Sequence, residues 1–480
     1  MTDEGLVVAS RPEVERPAPP RDPNRAPRED GPAGRLRRLT DPTTVLIVFL
    51  CVAVFANYLS SWLPETAGYP TGAVLRDLLA AAFITVAARC LWQARPAERG
   101  RTTILTPVEE KIVAVVFLVL LPLIGAFFLA DDRHGAALVA AKDLVLYVAA
   151  GTAAYLLFRR GLLSRRAVGL AILVVGLIVS VLGILDTATS ARSLGWLGYD
   201  PNYAGVRNFM VVGETPDYFG QDRASGGLTN AVSLGYLTAV LACFAAYRLL
   251  HERVGKGQAE RVLELVVIVA ASLACVLTLT RGAILALAIA MMILAATASR
   301  VRDAAALLAL VVLVALSVVW GSELHIGNTA QIVQRRVGNT DAVTQASTAA
   351  RRDELRYAWD TLPSDPLGTG ISSAGKAASR FGEDSDKRIV QHSPFLALAF
   401  QIGLPGLALV LVAFATLAWG SLRTARRGGS CALAVLFLYF VNGALGTGLA
   451  DPVFAVPFLV VLALALTVTL GRGGSALTRS

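Results

Sequence analysis

The sequence predicts an all-α, polytopic membrane protein of about twelve transmembrane helices, with a large, partly helical outside loop between helices nine and ten. Three observations lead there. Hydrophobic residues fill 55% of the 480 positions and charged residues only 16%, where a soluble domain carries about 25% charged residues. Apolar runs long enough to cross a bilayer recur along the chain. Basic residues gather in short clusters between alternate runs, which is the mark of membrane topology. The formal net charge of +9 therefore reflects topology, and no nucleic acid is expected as a partner.

Residues 1–40 are rich in Pro, Arg, Asp and Glu and are expected to form a disordered cytoplasmic tail. They do not read as a cleaved signal peptide, because the first apolar run starts only at Thr43 and many more follow. The polytopic domain, 41–480, holds runs at about 43–63, 73–92, 111–130, 136–158, 167–187, 227–249, 261–279, 282–298, 303–320, 394–418, 430–448 and 452–471. With the N-terminus inside, the connections "ARPAERGR", "RRGLLSRR", "RLLHERVGKGQAER", "SRVR" and "RTARR" also fall inside. The short outside connections carry one basic residue or none, so both termini are expected in the cytoplasm.

Two outside loops are long, about 188–226 and 321–393. Loops of that length are uncommon unless functional. The middle of the second, "TAARRDELRYAWDTL", has helical spacing. The Gly-rich stretch 368–380 lacks the strand–loop–helix context of a phosphate-binding turn and reads as a flexible loop segment. Aromatic residues at 196–219 suit either sugar stacking or interfacial anchoring. The five cysteines, at or inside apolar runs and without C-x-x-C spacing, read as small core residues. Asp77, Asp143, Asp186 and Asp451 read as polar glue, with Lys142 expected to pair with its neighbour Asp143.

Arg281 interrupts the apolar stretch from about Val262 to Ala298, at a cost of at least a few kcal/mol if it faced hydrocarbon. On the predicted topology it starts run eight at the outer face, where snorkelling would ease the cost. Arg223 similarly precedes run six, and His392 precedes run ten, with Ser393 as N-cap and Pro394 in the first helical position. Three helix N-termini at one face, two of them reinforced by Arg, make a site for a large anion. A diphosphate fits, and so would a carboxylate or bicarbonate. His392 titrates near neutrality and suits removal of a proton from an attacking hydroxyl.

In their order and placement, "RASGGLTNAVSLG", "LTLTRGAILAL", "DPLGTG" and "RIVQHSPFLALAFQIGLPGL" resemble the O-antigen ligase and polymerase family, membrane glycosyltransferases with a C-type-like helical fold. The resemblance covers roughly Asp222 to Leu407; the first five runs agree in topology only. It implies transfer of a glycan from a polyprenyl-diphosphate donor to a glycan or lipid acceptor hydroxyl outside the cytoplasmic membrane, with no metal or other cofactor and with inversion at the anomeric centre. Arg223 and Arg281 would then hold the diphosphate, and His392 would activate the acceptor. Arg352, ahead of a Trp, and Thr280 and Ser393, beside Arg281 and His392, would add substrate contacts. The family usually has Ser at position 280, Asn at 393 and Glu at 401, where this chain has Thr, Ser and Gln.

Two other readings follow from the same residues: an anion or solute transporter, and a non-catalytic partner of an assembly complex. A transporter would place polar groups near the bilayer midplane, often at broken helices, whereas the charges here gather at one face. The sequence has no G-x-x-x-x-G-K-[ST], H-E-x-x-H, G-x-S-x-G or C-x-x-C pattern.

Overall fold

The computed structural model describes residues 41–63, 71–94, 107–128, 134–188, 228, 231–252, 256–278, 280–298, 300–307, 309, 342–371, 393–427, 429–445 and 452–471. The described residues are helical, with no strand. In chain order the helices are α1 Pro42–Trp62, α2 Thr71–Gln93, α3 Pro107–Phe128, α4 His134–Arg159, α5 Arg165–Ala188 and α6 Ala231–His251. They continue with α7 Gln258–Leu277, α8 Arg281–Ala296, α9 Ala342–Thr361, α10 Pro394–Arg423, α11 Ser430–Leu445 and α12 Pro452–Gly471. Eleven of the twelve predicted apolar runs coincide with a helix. The ninth, 303–320, is described only at its start, and α9 belongs to the connection between the ninth and tenth runs. Among the described residues, five helices (α1, α3, α5, α6 and α10) are long and apolar enough to cross a membrane. Shorter apolar helices lie in α4, α8, α11 and α12.

Local chemistry explains several helix starts. Asp41 caps α1 by accepting from the Thr44 amide at 3.1 Å, and Pro42 takes a first-turn position that needs no amide donor. Ser393 caps α10 in the same way through the Leu396 amide, followed by Pro394. The bundle is organised around α6, which packs against α5, α7, α8, α11 and α12. Apolar on all sides, α6 is buried along nearly its whole length, as expected of a helix enclosed by others. The two ends of the bundle can be named from α6: its head, where α6 and α8 begin and α7 ends, and its foot, where α6 ends and α7 begins.

Charge is buried at the foot. Arg248 of α6 donates from Nε to Glu264 Oε1 of α7 at 3.0 Å, and both side chains are almost fully enclosed. Lys256 donates to the same carboxylate at 2.6 Å and to the Arg248 carbonyl at 2.7 Å. Glu252 and Glu260 also reach Arg248, and Arg166 of α5 pairs with Glu260. The three cations and three carboxylates balance. Space for Arg248 comes from Gly169 of α5, where an added methyl would lie 2.0 Å from the guanidinium. Burial lowers the pKa of Lys256, while Glu264 opposes that shift. A second pair encloses Glu109 of α3 between both nitrogens of the Arg160 fork, at 3.2 and 3.1 Å.

Lys142 finds a partner on another helix, while the side chain of Asp143, its expected partner, lies outside the described residues. Lys142 bonds Asp77 of α2, which also accepts from Arg76 and from the Tyr147 hydroxyl at 2.7 Å. Asp77 is 65 positions away in sequence, so only the packing of α2 against α4 brings the two together. The cysteines are free, with Cys243, Cys275 and Cys431 buried and Cys51 and Cys90 half-buried, in keeping with their reading as packing residues.

Removing one partner of the Arg248–Glu264 pair leaves an enclosed charge with weaker compensation, since Lys256 still reaches Glu264 and Glu252 and Glu260 still reach Arg248. Glu264→Ala and Arg248→Ala are therefore each expected to lower the thermal midpoint of the detergent-solubilised protein by several degrees. The double variant should lose much less than the sum of the two, a non-additivity that a melting series on all four proteins would read directly.

Candidate functional site

At the head, α7 ends and α8 begins within three residues. Thr278 folds its hydroxyl back onto the Cys275 carbonyl at 2.7 Å and accepts from the Thr280 amide at 3.2 Å. Thr280 is the N-cap residue of α8, and its carbonyl accepts from Ala283 and Ile284 at 3.0 Å. Its hydroxyl does not cap the helix. It points to the Ala231 carbonyl, in the first turn of α6, at 3.4 Å. Gly235 permits this close approach: a methyl there would meet Thr278 Oγ1 at 2.9 Å and Ala283 Cβ at 3.1 Å. The α7–α8 turn is thereby held against the start of α6, and Arg281 occupies the first position of α8 with its side chain exposed.

α10 is two helices joined at Gly403, which has φ 75° and ψ 172°. That region is open essentially to glycine alone. Pro405 follows and has no amide to give to Gln401. The break frees the Phe400 carbonyl and the Leu404 amide, and the segment 366–369 takes up both. Thr369 donates its amide to Phe400 O at 2.7 Å, and Leu404 donates to Pro366 O at 2.9 Å. Gly368, with φ 80°, lies back to back with Gly403. A methyl on Gly368 would come 2.5 Å from Gly403 N, and one on Gly403 would come 2.5 Å from the Leu367 carbonyl carbon. Ile371 then bonds the Ala126 carbonyl near the end of α3 at 3.2 Å. The flexible segment expected at 368–380 is thus corrected for 368–371, which are locked between α10 and α3. Residues 372–380 lie outside the described residues.

α9 packs against the first piece of α10. Tyr357 stacks on Phe400 with ring centroids 5.5 Å apart, and Ala358 and Leu362 join Ala399 and Phe400 in one apolar cluster. The buried stripe of α9 is Glu354, Ala358 and Leu362, at helical spacing. Arg351, three residues before Glu354, is exposed. Arg352 is exposed and falls with Leu355 and Trp359 on the outward face.

Of the residues singled out in the sequence, the structure places Arg281 and Thr280 on the turn against α6, Ser393 at the cap of α10 and Arg352 on the outer face of α9. Arg223 and His392 lie outside the described residues, as do the first long loop, most of the second and residues 1–40. Sequence reading passed over the break at Gly403. It carried a visible signal in "QIGLPGL", where Gly and Pro interrupt an apolar run.

The span from mid-α7 through the α7–α8 turn, α9 and the break in α10 matches a known family profile. Residues 266–411 match the profile described as O-antigen ligase. The chain carries an O-antigen ligase family domain. A curated O-antigen polymerase of Salmonella muenchen is 25% identical over 296 residues, covering 60% of this chain and 70% of its own length. Together with the repeated apolar helices, these matches show a chain similar to the O-antigen ligases and polymerases. The matched span contains Thr280, Arg281, Arg352, His392 and Ser393, but not Arg223.

Gly403→Ala would force a side chain into a forbidden backbone region and into the Leu367 carbonyl. Strain of this kind costs about 1–3 kcal/mol. The variant is expected to melt earlier and to become sensitive to limited proteolysis in the segment 362–371, while Gly420→Ala, where nothing lies within 4 Å of an added methyl, should behave as wild type in both assays.

Proposed function

We propose that the chain is a membrane glycosyltransferase that polymerises or ligates a cell-surface polysaccharide. It would take a glycan from a polyprenyl-diphosphate donor and transfer it to an acceptor hydroxyl on the outer side of the cytoplasmic membrane, both termini being cytoplasmic. The observation that carries this reading is the α7–α8 turn. An arginine at the first position of a helix, fixed against the start of a second helix, sets a cation and free amides at one place. The family match covers the same turn.

In this reading the acceptor oxygen attacks the anomeric carbon from the side opposite the leaving group. The carbon–oxygen bond to the diphosphate breaks, and its electron pair departs on the phosphate oxygen. Arg281 and Arg223 stabilise that charge, which fixed cations do without reorganising. His392 receives the acceptor proton, and inversion follows from the single displacement. Thr280 and Ser393 position the two helix starts, and no metal is required. Ser393 caps the helix that begins one residue after it, so position 392 directly precedes a fixed helix start.

The broken α10 is the observation that favours solute passage, since transporters place binding sites at such breaks. Here the backbone of 366–369 fills the break, which favours a structural role for it and glycan transfer as the activity.

The test uses the purified full-length chain with a polyprenyl-diphosphate-linked oligosaccharide, following both lipid diphosphate release and glycan transfer. Arg281→Ala and Arg223→Ala are each expected to lower kcat about a hundredfold or more, with Arg281→Lys recovering part of the loss. His392→Ala should lower it about 10²–10⁴-fold. Wild-type turnover that survives all three substitutions would sink the assignment. Solute uptake into proteoliposomes without glycan transfer would favour the transporter.

A further inference from the structure

A half-open groove runs between α3, α4, α10 and α12, away from the site described so far. Val115 and Val119 of α3, Gly151 and Tyr155 of α4, Phe414 of α10 and Leu462 of α12 are among the residues lining it, and its wall is almost wholly apolar. Gly151 lets α4 and α12 close its floor: a methyl there would lie 2.9 Å from Leu459 Cβ. On α4 the lining reaches from Val148 to Tyr155, about 10 Å of helix at 1.5 Å per residue. One leaflet of hydrocarbon is about 15 Å deep, so the groove has the length to hold much of a single lipid chain.

Charge at its mouth sets this groove apart from a bare apolar face. The Tyr155 hydroxyl accepts from Arg159 Nη1 at 3.2 Å, which bonds the last groove residue of α4 to a guanidinium. Arg159 ends α4, and after a short turn α5 starts at Arg165, with Arg166 paired to Glu260 at the foot. The mouth therefore opens at the foot. The carboxylate beside it is Glu109, one turn before the groove residue Ile112. Arg160 takes both its oxygens, at 3.2 and 3.1 Å, while Arg159 Nε stands 3.9 Å away. Glu110 and Lys111, exposed next to it, cancel each other. Among the described residues, two arginines thus share one carboxylate. Arg159 remains 18% exposed, and the tyrosine takes one of its five donors.

We propose that this groove binds an anionic phospholipid from the leaflet at the foot. One acyl chain lies between the four helices, and Arg159 holds the phosphate. A guanidinium fork grips phosphate oxygens in pairs. The surplus positive charge at the mouth favours a lipid of net negative charge over a zwitterionic one. A lipid-linked diphosphate does not answer to this geometry. In the reading above its phosphates belong at the Arg281 turn, at the head, and Arg159 stands at the opposite end of the bundle. The topology proposed above makes the foot the cytoplasmic side. The inference needs a bilayer and does not depend on glycan transfer.

The test takes the full-length protein in mild detergent, freed of co-purifying lipid. It is titrated with phosphatidylglycerol or with phosphatidylcholine of the same acyl chains. Native mass spectrometry reads the first bound lipid, with the melting temperature alongside. Wild type is expected to bind phosphatidylglycerol about fivefold or more tighter than phosphatidylcholine, and to melt higher with it. Arg159→Gln should remove that preference and keep phosphatidylcholine binding. Val116→Trp, which fills the groove, should lose both lipids. Arg300→Gln, at an exposed arginine past the foot end of α8, should behave as wild type. Arg159→Gln alters only the rim, so it decides the matter even where Val116→Trp does not fold. Equal affinity of wild type for the two lipids would overturn the proposal. So would a preference that survives Arg159→Gln, or one that Arg300→Gln removes as fully. Displacement of phosphatidylglycerol by an equimolar polyprenyl phosphate would overturn it too and give the groove to the isoprenoid chain. Loss of glycan transfer by wild type would sink the glycosyl-transfer reading and leave these binding results standing.

Discussion

A helix surrounded by apolar side chains and lipid has no water to satisfy a loose amide or carbonyl, and the packing around α10 is shaped by how its break meets that demand. Gly403 and Pro405 interrupt the helix, and a neighbouring stretch of backbone supplies the bonds the interruption removes. The exchange works in both directions. Phe400 accepts from Thr369, and Pro366 accepts from Leu404, so neither segment completes its hydrogen bonding without the other. Because Ile371 also bonds Ala126, three elements distant in sequence are fixed by main-chain bonds alone. α9 then packs on the short first piece of α10 through Tyr357 and Phe400. An unbroken α10 would offer this connection no place to dock.

The two ends of α6 use different chemistry. At the foot, among the described residues, Arg248 and Glu264 are enclosed as a pair, with Lys256 and Glu260 beside them. At the head, α6 meets the α7–α8 turn through a glycine, two threonine hydroxyls and a backbone carbonyl, and a cation stands at the surface beside them.

Much of the architecture was legible because membrane helices announce themselves by length and apolarity. Their starts at Pro42 and Pro394 were marked by an acid or hydroxyl followed by proline. Arg281 and Thr280 could be placed at a helix start because the apolar run is broken by "TRG". What escaped reading were contacts between distant positions. The bond from Lys142 to Asp77 is one such contact, made by the packing of α2 on α4.

The charges at the foot also bear on how the chain enters a membrane. The ribosome makes Arg166 and Arg248 before Glu260 and Glu264, so for a time the arginine near the end of α6 has no carboxylate to meet. A lone α7 with two acids in its first turns is a poor candidate for insertion by itself, at a few kcal/mol for each charge left in hydrocarbon. An arginine already waiting on the preceding helix changes that balance, because the two opposite charges can enter as a neutral pair. The Arg248–Glu264 bond ties α6 and α7 together at the foot. The glycine at 169 keeps a seat open on α5 for the pair to occupy once it arrives.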